Sequence, residues 1–226
     1  MMLVMPANNT GWAVHWMQAR FGGLGHLFSP GAQRGPYPHL NYALDNGRFP
    51  CWSSGAEWSE EAYIELLDWA AASQAPPLWA LVPDVVADCL DTINEYARWA
   101  PRIKYDYGFK LAVAVQDGMA IEDVKNLRPK PEVIFVGGST DWKRSTIRLW
   151  CSNFARVHVG RINTKHWLWE CHHAGVESCD GTGWFRGDRK QLRDLSEYLQ
   201  ANSTAQPLEV PDWRDLGAHD EFNWEI

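Results

Sequence analysis

Short apolar runs alternate with longer stretches of helical period along most of this chain. The apolar runs predict strands over residues 42–49, 77–86, 110–118, 132–138, 156–163 and 176–183. The stretches after them predict helices over residues 59–72, 89–103, 120–127, 140–154, 164–175 and 188–201. An earlier run, 23–30, predicts one more strand. The strands are mostly continuous in apolar character, which is typical of parallel sheets with two buried faces.

Residues that favour helix ends lie at the boundaries of these stretches. Ser59 and Asp88 are predicted N-caps, and either Ser139 or Thr140 is predicted to cap the helix over 140–154. Gly175 follows another helical stretch, at the position where a left-handed residue commonly ends a helix.

Six consecutive strand–helix units are compatible with a closed (β/α)8 barrel or with an open doubly wound sheet. We favour the barrel because special residues end nearly every strand, whereas an open sheet would gather them at one crevice. The predicted fold class is α/β, a single-domain (β/α)8 TIM-type barrel that need not be regular. It is expected to span residues 1–201, and residues 202–226 are expected to form an acidic tail that is either an extended wrap or a frayed end.

The composition is that of a globular protein without a membrane span. Of the 226 residues, 46% are hydrophobic and 22% are charged. No stretch approaches the roughly 20 apolar residues that a spanning helix needs, and the N-terminus lacks the features of a signal peptide. The five cysteines are scattered, so we expect a reducing, cytoplasmic location and no contact with a membrane.

Charge is unevenly distributed along the chain. Residues 1–100 carry 4 Lys/Arg against 10 Asp/Glu, whereas residues 101–200 carry 16 against 12. A nucleic-acid partner would therefore contact the second half, with Lys143, Arg144, Arg161 and Arg186 as the candidate phosphate contacts. Solvated faces of ordinary helices are the more common explanation of such a charge pattern taken alone.

Polar or small residues end the predicted strands. They are Asp45, Asp84, Gln116, Gly137–Gly138, Gly160 and Asp180. In a barrel these positions converge on one mouth, where neighbouring carboxylates take different pKa values and can serve as acid/base and nucleophile. Each has a structural alternative, because Asp45 in "LDNG" and Asp180 in "CDGTG" also fit ordinary turns.

The chain contains 14 tryptophans, most of which fit helix packing. Trp142 and Trp184 follow glycine-bearing strand ends, so they are the candidates for stacking on a ligand. Gly181 and Gly183, on either side of Thr182, are expected to let a substrate approach Asp180 closely.

These motifs, in this order, resemble the tRNA-guanine transglycosylase superfamily, and in particular its shorter members that insert 7-deazaguanines into DNA. Asp45 in "ALDNGRF" matches the family's "TDSGGFQ"-like motif, and Asp84 in "VPDVVAD" matches its base-binding aspartate. Gln116 in "AVQDG" and Gly137–Gly138 in "VGGST" match the "IVQGG" and "GGL" segments. Asp180 in "SCDGTGW" matches the nucleophilic aspartate. The similarity covers roughly residues 20–200.

The resemblance implies a base exchange. Asp180 would be the nucleophile and Asp45 the proton donor and acceptor. Asp84, Gln116 and the backbone of Gly137–Gly138 would bind the base edge. Gly160 would also line the pocket. The implied partners are a nucleic acid, with DNA favoured over tRNA because a separate tRNA-gripping domain is missing, and a 7-deazapurine base.

The family's tRNA enzymes also carry a zinc site of three cysteines and one histidine, and its spacing does not occur here. Cys171, His172, His173 and Cys179 are the remaining metal candidates, although adjacent histidines at a helix end are more often structural. No metal and no cofactor are therefore expected. A glycoside hydrolase that uses water as acceptor and a non-catalytic nucleic-acid-binding barrel remain alternatives.

Overall fold

The computed structural model describes residues 1–203 of the chain. Within these residues it forms eight strands, and every paired neighbour is parallel. The strands are β1 (Leu3–Pro6), β2 (Gly25–Phe28), β3 (Asn41–Leu44), β4 (Ala80–Leu81), β5 (Leu111–Val115), β6 (Val133–Val136), β7 (Val157–Val159) and β8 (Ser178–Gly181).

Eight helices are interspersed with these strands in the same part of the chain. They are α1 (Trp12–Phe21), α2 (Arg48–Ser54), α3 (Glu60–Ala71), α4 (Cys89–Tyr105), α5 (Ile121–Lys125), α6 (Thr140–Asn153), α7 (Lys165–Ala174) and α8 (Arg189–Asn202).

The order of the strands makes the sheet a nearly closed barrel. The hydrogen-bonded order is β1-β8-β7-β6-β5-β4-β3-β2, so the first strand lies beside the last. Two isolated parallel bridges, Val4–Leu24 and Ala7–Leu27, bring β1 and β2 together at the remaining seam. This confirms the predicted α/β class and the single-domain (β/α)8 TIM-type barrel.

Alternate positions along the strands separate two apolar layers. One layer fills the barrel and consists of Met5, Leu27, Ala43, Trp79, Leu81, Ala112, Ala114 and Val133. The other lies between the strands and the surrounding helices, and strand residues such as Val113 and Val136 contribute to it. Because both faces of each strand are covered, the continuous apolar runs of the sequence are explained.

The predicted strand–helix units are all present, and several caps have the expected geometry. Ser59 and Asp88 accept backbone N–H groups at 3.1 and 3.0 Å at the starts of α3 and α4. Ser139, rather than Thr140, caps α6. Gly175 ends α7 with a φ of 86°.

Two features differ from the sequence-based prediction, and a third departs from a regular alternation of strands and helices. β1 and α1 were not expected; Gly11 gives α1 no side-chain cap, and the first turn of α1 has no acidic residue. The connection over residues 29–40 contains no helix, although β2 and β3 are parallel neighbours. The predicted strand over 42–49 ends at Leu44, because Gly47, with a φ of 77°, turns the chain into α2.

The expected acidic tail over 202–226 lies outside the described residues, apart from Asn202 and Ser203. α8 ends at Asn202, one residue beyond the predicted boundary of the barrel. Across residues 1–203, none of the helices combines the length and the apolar character that crossing a membrane requires.

Candidate active site

Three polar side chains at the C-terminal mouth of the barrel lie on the same, inward-facing side of their strands as the barrel core. Asp45, Gln116 and Asp180 each lie two positions beyond an inward-facing residue of β3, β5 and β8. Side chains alternate across a strand, so all three point toward the barrel axis. Residues far apart in the sequence therefore meet around one opening.

Asp180 lies at the base of this opening and is 6% exposed. Its Oδ2 is 3.1 Å from Nε2 of His158, and its Oδ1 accepts the backbone N–H of Arg161 at 3.2 Å. A Cβ on Gly160 would come within 3.3 Å of Oδ2 and 2.8 Å of the Phe135 ring. The absence of a side chain at Gly160 therefore lets the Asp180 carboxylate and the Phe135 ring keep their positions.

His158 is the site residue that the sequence analysis missed. It is fully buried, and its Nδ1 lies 2.8 Å from Oγ of Ser178. Its ring stacks on Phe135, with centroids 4.8 Å apart, and meets the edge of Trp79. A neutral ring with its proton on Nε2 donates to Asp180 and accepts the Ser178 hydroxyl proton, which satisfies both nitrogens. The signal was a histidine inside the apolar run "RVHVG", on the same strand face as Gly160.

Asp45 is half-buried and faces Asp180 across the mouth. Its Oδ2 accepts a hydrogen bond from Oγ of Ser29 at 2.9 Å. Burial raises the pKa of Asp45 from 3.8 to about 7, and the negative charges of Asp180 and, more weakly, Asp84 act in the same direction. Asp45 is therefore a carboxyl group that can both give and take a proton near neutral pH.

Asp84 is 8% exposed and is held by two side-chain amides. Nδ2 of Asn46 donates to its Oδ1 at 2.8 Å, and Nε2 of Gln116 donates to its Oδ2 at 2.9 Å. Burial raises the pKa of Asp84, whereas the hydrogen bond from Asn46 and the charge of Arg48 oppose that rise. A carboxylate offers about four acceptor positions, so those left over can accept hydrogen bonds from a ligand.

Gln116 has a different role from the one predicted. It is 3% exposed, and its amide nitrogen also contacts the Val85 carbonyl at 2.9 Å and Thr92 Oγ1 at 3.0 Å. Its amide oxygen accepts the backbone N–H of Ala87. These contacts occupy the amide, so in this structure Gln116 positions Asp84 and the following loop.

The glycines after β6 are more constrained than predicted. Gly137 donates its N–H to the neighbouring strand, and the carbonyl of Gly138 accepts the guanidinium of Arg161. Gly138 has a φ of 67°, and a Cβ there would overlap Oδ1 of Asp117 and lie 2.8 Å from the Trp142 ring. This pair therefore serves close packing, and those two backbone groups are not free to bind a base edge.

The glycines that follow Asp180 are also needed for packing. A Cβ on Gly181 would overlap the carbonyl oxygen of Ile162 and lie 2.7 Å from Nε1 of Trp184. A Cβ on Gly183 would lie 2.9 Å from the Gln191 amide. These glycines were expected to let a substrate approach Asp180. The structure gives another reason for them, which is the close contact between the end of β8 and the loop that follows β7.

The two tryptophans that were predicted to stack on a ligand occupy different environments. Trp184 is fully buried in the outer core, so the prediction that it stacks on a base is wrong. Trp142 is half-buried, and its ring packs near Trp150 with centroids 6.2 Å apart. Only Trp142 retains a partly open ring.

Lys143 is not a surface contact for phosphate, which corrects that prediction. It is 2% exposed, and its Nζ donates to the carbonyl of Gly160 at 2.7 Å. Burial, together with the nearby charge of Arg161, lowers the pKa of Lys143 to about 8. Lys143 therefore supports the loop beneath the mouth from the core side.

The three predicted arginine contacts are exposed but differ in position. Arg144 lies on α6, with its Nε 3.3 Å from a carboxylate oxygen of Glu170. Arg161 and Arg186 lie on the loops that follow β7 and β8, at the mouth. The guanidinium of Arg161 also lies 4.3 Å from the ring centre of Phe49, an aromatic residue of α2 that the sequence analysis did not select.

The candidate metal ligands are dispersed by the fold. Cys171 and Cys179 are buried, and burial raises the pKa of Cys171 to about 12. Nδ1 of His172 lies 3.0 Å from the hydroxyl of Tyr198, and His173 stacks on Trp169. In the part of the chain that the structure describes, no group of three or more His, Cys, Asp or Glu residues is arranged to hold a metal ion.

The mouth thus combines a carboxylate held from two sides with a second carboxyl group that titrates near neutrality. Such a pair can perform a nucleophilic displacement with proton transfer at a sugar carbon. No protein-family model matches the chain, and no curated protein is detectably similar to it in sequence.

Proposed function

We propose that this protein is a base-exchange glycosyltransferase that replaces guanine in a nucleic acid, with DNA favoured, by a 7-deazaguanine. The observation that carries the proposal is the pairing of Asp45 and Asp180 in one mouth, where the charge of Asp180 contributes to the raised pKa of Asp45. The sequence resemblance to guanine transglycosylases assigns the same two residues to the nucleophile and the acid/base.

In the first step, a carboxylate oxygen of Asp180 bonds to C1′ of the target nucleotide as the C1′–N9 bond breaks. The electron pair of that bond leaves with guanine, and protonated Asp45 donates its proton to the departing base. The sugar is then held as an ester of Asp180, and Asp45 is a carboxylate.

In the second step, the incoming 7-deazaguanine loses its N9 proton to Asp45 and bonds to C1′. The ester bond breaks, and its electron pair returns to Asp180 as a carboxylate. Two displacements at the same carbon retain the configuration of the sugar, as in retaining glycosidases. Both carboxyl groups end in their starting protonation states.

The surroundings of Asp180 suit a nucleophile. The hydrogen bonds from His158 and from the Arg161 backbone fix the orientation of the carboxylate. A side chain at position 160 would crowd both Oδ2 of Asp180 and the Phe135 ring, so the glycine preserves the position of the carboxylate. In the second step, negative charge develops again on this carboxylate as the ester breaks, and the fixed donors stabilise it there with little reorganisation.

Asp84 is the proposed base-binding residue. Guanine and 7-deazaguanines present N–H donors on the edge opposite their five-membered ring, and a carboxylate accepts such donors. Asn46 and Gln116 hold Asp84 from either side, so its orientation is set before the ligand arrives. A preorganised acceptor discriminates strongly against bases that lack the donor.

The test measures exchange of labelled guanine in single-stranded DNA, duplex DNA and tRNA. Asp180→Asn should abolish exchange, and intact-protein mass spectrometry under denaturing conditions should detect a glycosyl adduct on the native protein only. Asp106→Asn removes an exposed carboxylate at the opposite end of α4 and is the matched control. Full exchange by Asp180→Asn would remove Asp180 from the nucleophile role.

Product analysis separates the proposed reaction from its alternatives. Incorporated 7-deazaguanine indicates exchange, whereas a free base with an abasic site indicates hydrolysis. Binding without either product, and with an affinity that Asp180→Asn leaves unchanged, indicates a non-catalytic barrel.

A further inference from the structure

An aromatic row extends outward from the nucleophile at the rim of the mouth. We call Arg161, Phe49 and Trp52 the rim column. The guanidinium carbon of Arg161 lies 4.3 Å from the ring centre of Phe49. The rings of Phe49 and Trp52 follow, with centroids 5.9 Å apart and planes inclined by 35°. The column therefore offers a series of partly overlapping flat groups.

The inner end of the column is attached to the candidate site. The backbone N–H of Arg161 donates to Oδ1 of Asp180. Arg161 has a φ of 63°, which a residue with a side chain seldom adopts. This conformation directs its N–H toward Asp180, while its side chain lies over Phe49 and donates to the carbonyl of Gly138.

The outer end of the column is open. Phe49 is 37% exposed and Trp52 is 59% exposed, although both are large apolar side chains. α2 has seven residues, begins directly after the turn that contains Asp45, and buries none of them. Exposed aromatic side chains beside a pocket commonly mark a binding surface.

We propose that the rim column is a stacking platform for the nucleotide next to the target in a single-stranded or locally opened polynucleotide. The base of this neighbouring nucleotide would stack on the free face of Trp52, while the sugar of the target nucleotide lies at Asp180. This inference rests on the proposed function and adds where the nucleotide next to the target binds, and that this nucleotide is unpaired.

Charges of both signs surround the mouth, and its arginines fit a nucleic acid. The exposed carboxylates of Asp88, Asp117 and Asp188 accept hydrogen bonds from the first turn of the helix that follows or from Ser139. Exposed arginines lie on three loops of this face: Arg34 between β2 and β3, Arg161 after β7 and Arg186 after β8. Aromatic platforms combined with arginines along a backbone track are typical of single-strand binding, where stacking tolerates any base sequence. An apolar protein partner would use the exposed aromatics without needing these cations.

Binding is measured by fluorescence anisotropy with a labelled, guanine-containing single-stranded DNA, so that it does not depend on turnover. Trp52→Ala should weaken binding about tenfold, in the range of one lost base–aromatic stack. Trp52→Phe should recover most of the affinity because it restores an aromatic face. Tyr105→Ala removes an aromatic residue that is 72% exposed at the far end of α4 and should leave binding unchanged.

Equal single-strand affinities for the native protein and Trp52→Ala would overturn the platform, as would equal losses in Trp52→Ala and Tyr105→Ala. Native circular dichroism and thermal melts of each variant exclude unfolding as the cause of a loss. If binding depends on Trp52 but no base is exchanged, the platform stands and the proposed reaction fails. If exchange proceeds and Trp52→Ala has no effect on binding, the reaction stands and the platform fails.

Discussion

Replacing Asp45 by asparagine tests the electrostatic design of the mouth without any substrate. Asparagine keeps the shape of the side chain and an oxygen that accepts the hydrogen bond from Ser29. It removes the charge that burial and the neighbouring Asp180 make costly. The variant therefore isolates the free energy of ionising Asp45 in the fold.

The sign follows from the pKa. Asp45 has a pKa of about 7 in the folded protein against 3.8 for the ordinary carboxyl group. Between these values the folded state holds a proton that the unfolded chain has lost, so stability falls as pH rises through this window. Above about pH 7 the loss of stability is complete, and below about pH 4 there is no loss.

The full shift corresponds to about 4 kcal/mol, at about 1.4 kcal/mol per pKa unit. Asp45 is half-buried, so water screens part of the interaction. We therefore expect the free energy of unfolding of Asp45→Asn, relative to that of the native protein, to rise by about 2 kcal/mol between pH 4 and pH 8. Urea unfolding at closely spaced pH values measures this difference. Asp106→Asn removes an exposed carboxylate and serves as the control.

Parallel stability curves for the native protein and Asp45→Asn would refute the reasoning, because they would place the carboxyl group in an environment no different from water. A difference that shrinks with rising pH would give the wrong sign and would also refute it.

Two further substitutions test the packing that surrounds Asp180. His158→Gln should lower the exchange rate at least tenfold and shift its pH profile, and an unchanged profile would remove His158 as a positioning residue. His158→Ala should in addition lower the free energy of unfolding by about 2–4 kcal/mol, because it leaves a cavity and removes the hydrogen bond to Oδ2 of Asp180. Gly181→Ala should destabilise the protein by more than about 2 kcal/mol in thermal melts, because the added Cβ would overlap the Ile162 carbonyl. Gly137→Ala should destabilise it clearly less, because the nearest atom to its Cβ is 3.3 Å away. Equal losses of stability would argue against the close contact at Gly181.

The barrel was predictable because its signals are local. Continuous apolar runs, amphipathic helices and capping residues recur at nearly regular spacing, and each reports on its own segment. α1 escaped prediction for the same reason, since its uncapped start gives little local signal, and β1, which precedes it, was missed with it. Asp45, Asp84 and Asp180 could be selected because strand ends converge in a barrel.

The roles of their neighbours could not be predicted, because hydrogen-bond partners depend on distances across the fold. Gln116 looked like a ligand contact, yet its amide holds Asp84. Lys143 looked like a surface cation, but one turn of α6 directs it into the core. His158 looked like part of an apolar run, and only the pairing of β7 with β8 brings it to Asp180.

The pairing of β1 with β8 determines when, during synthesis, the candidate site is complete. Asp180 pairs in register with Met5, so the proposed nucleophile lies on the strand that pairs with the first strand of the barrel. A nascent polypeptide that still lacks β8 has neither this strand pairing nor Asp180. Ribosome-bound intermediates therefore carry Asp45 and Asp84 without Asp180, so the proposed reaction becomes possible only in the event that completes the barrel wall.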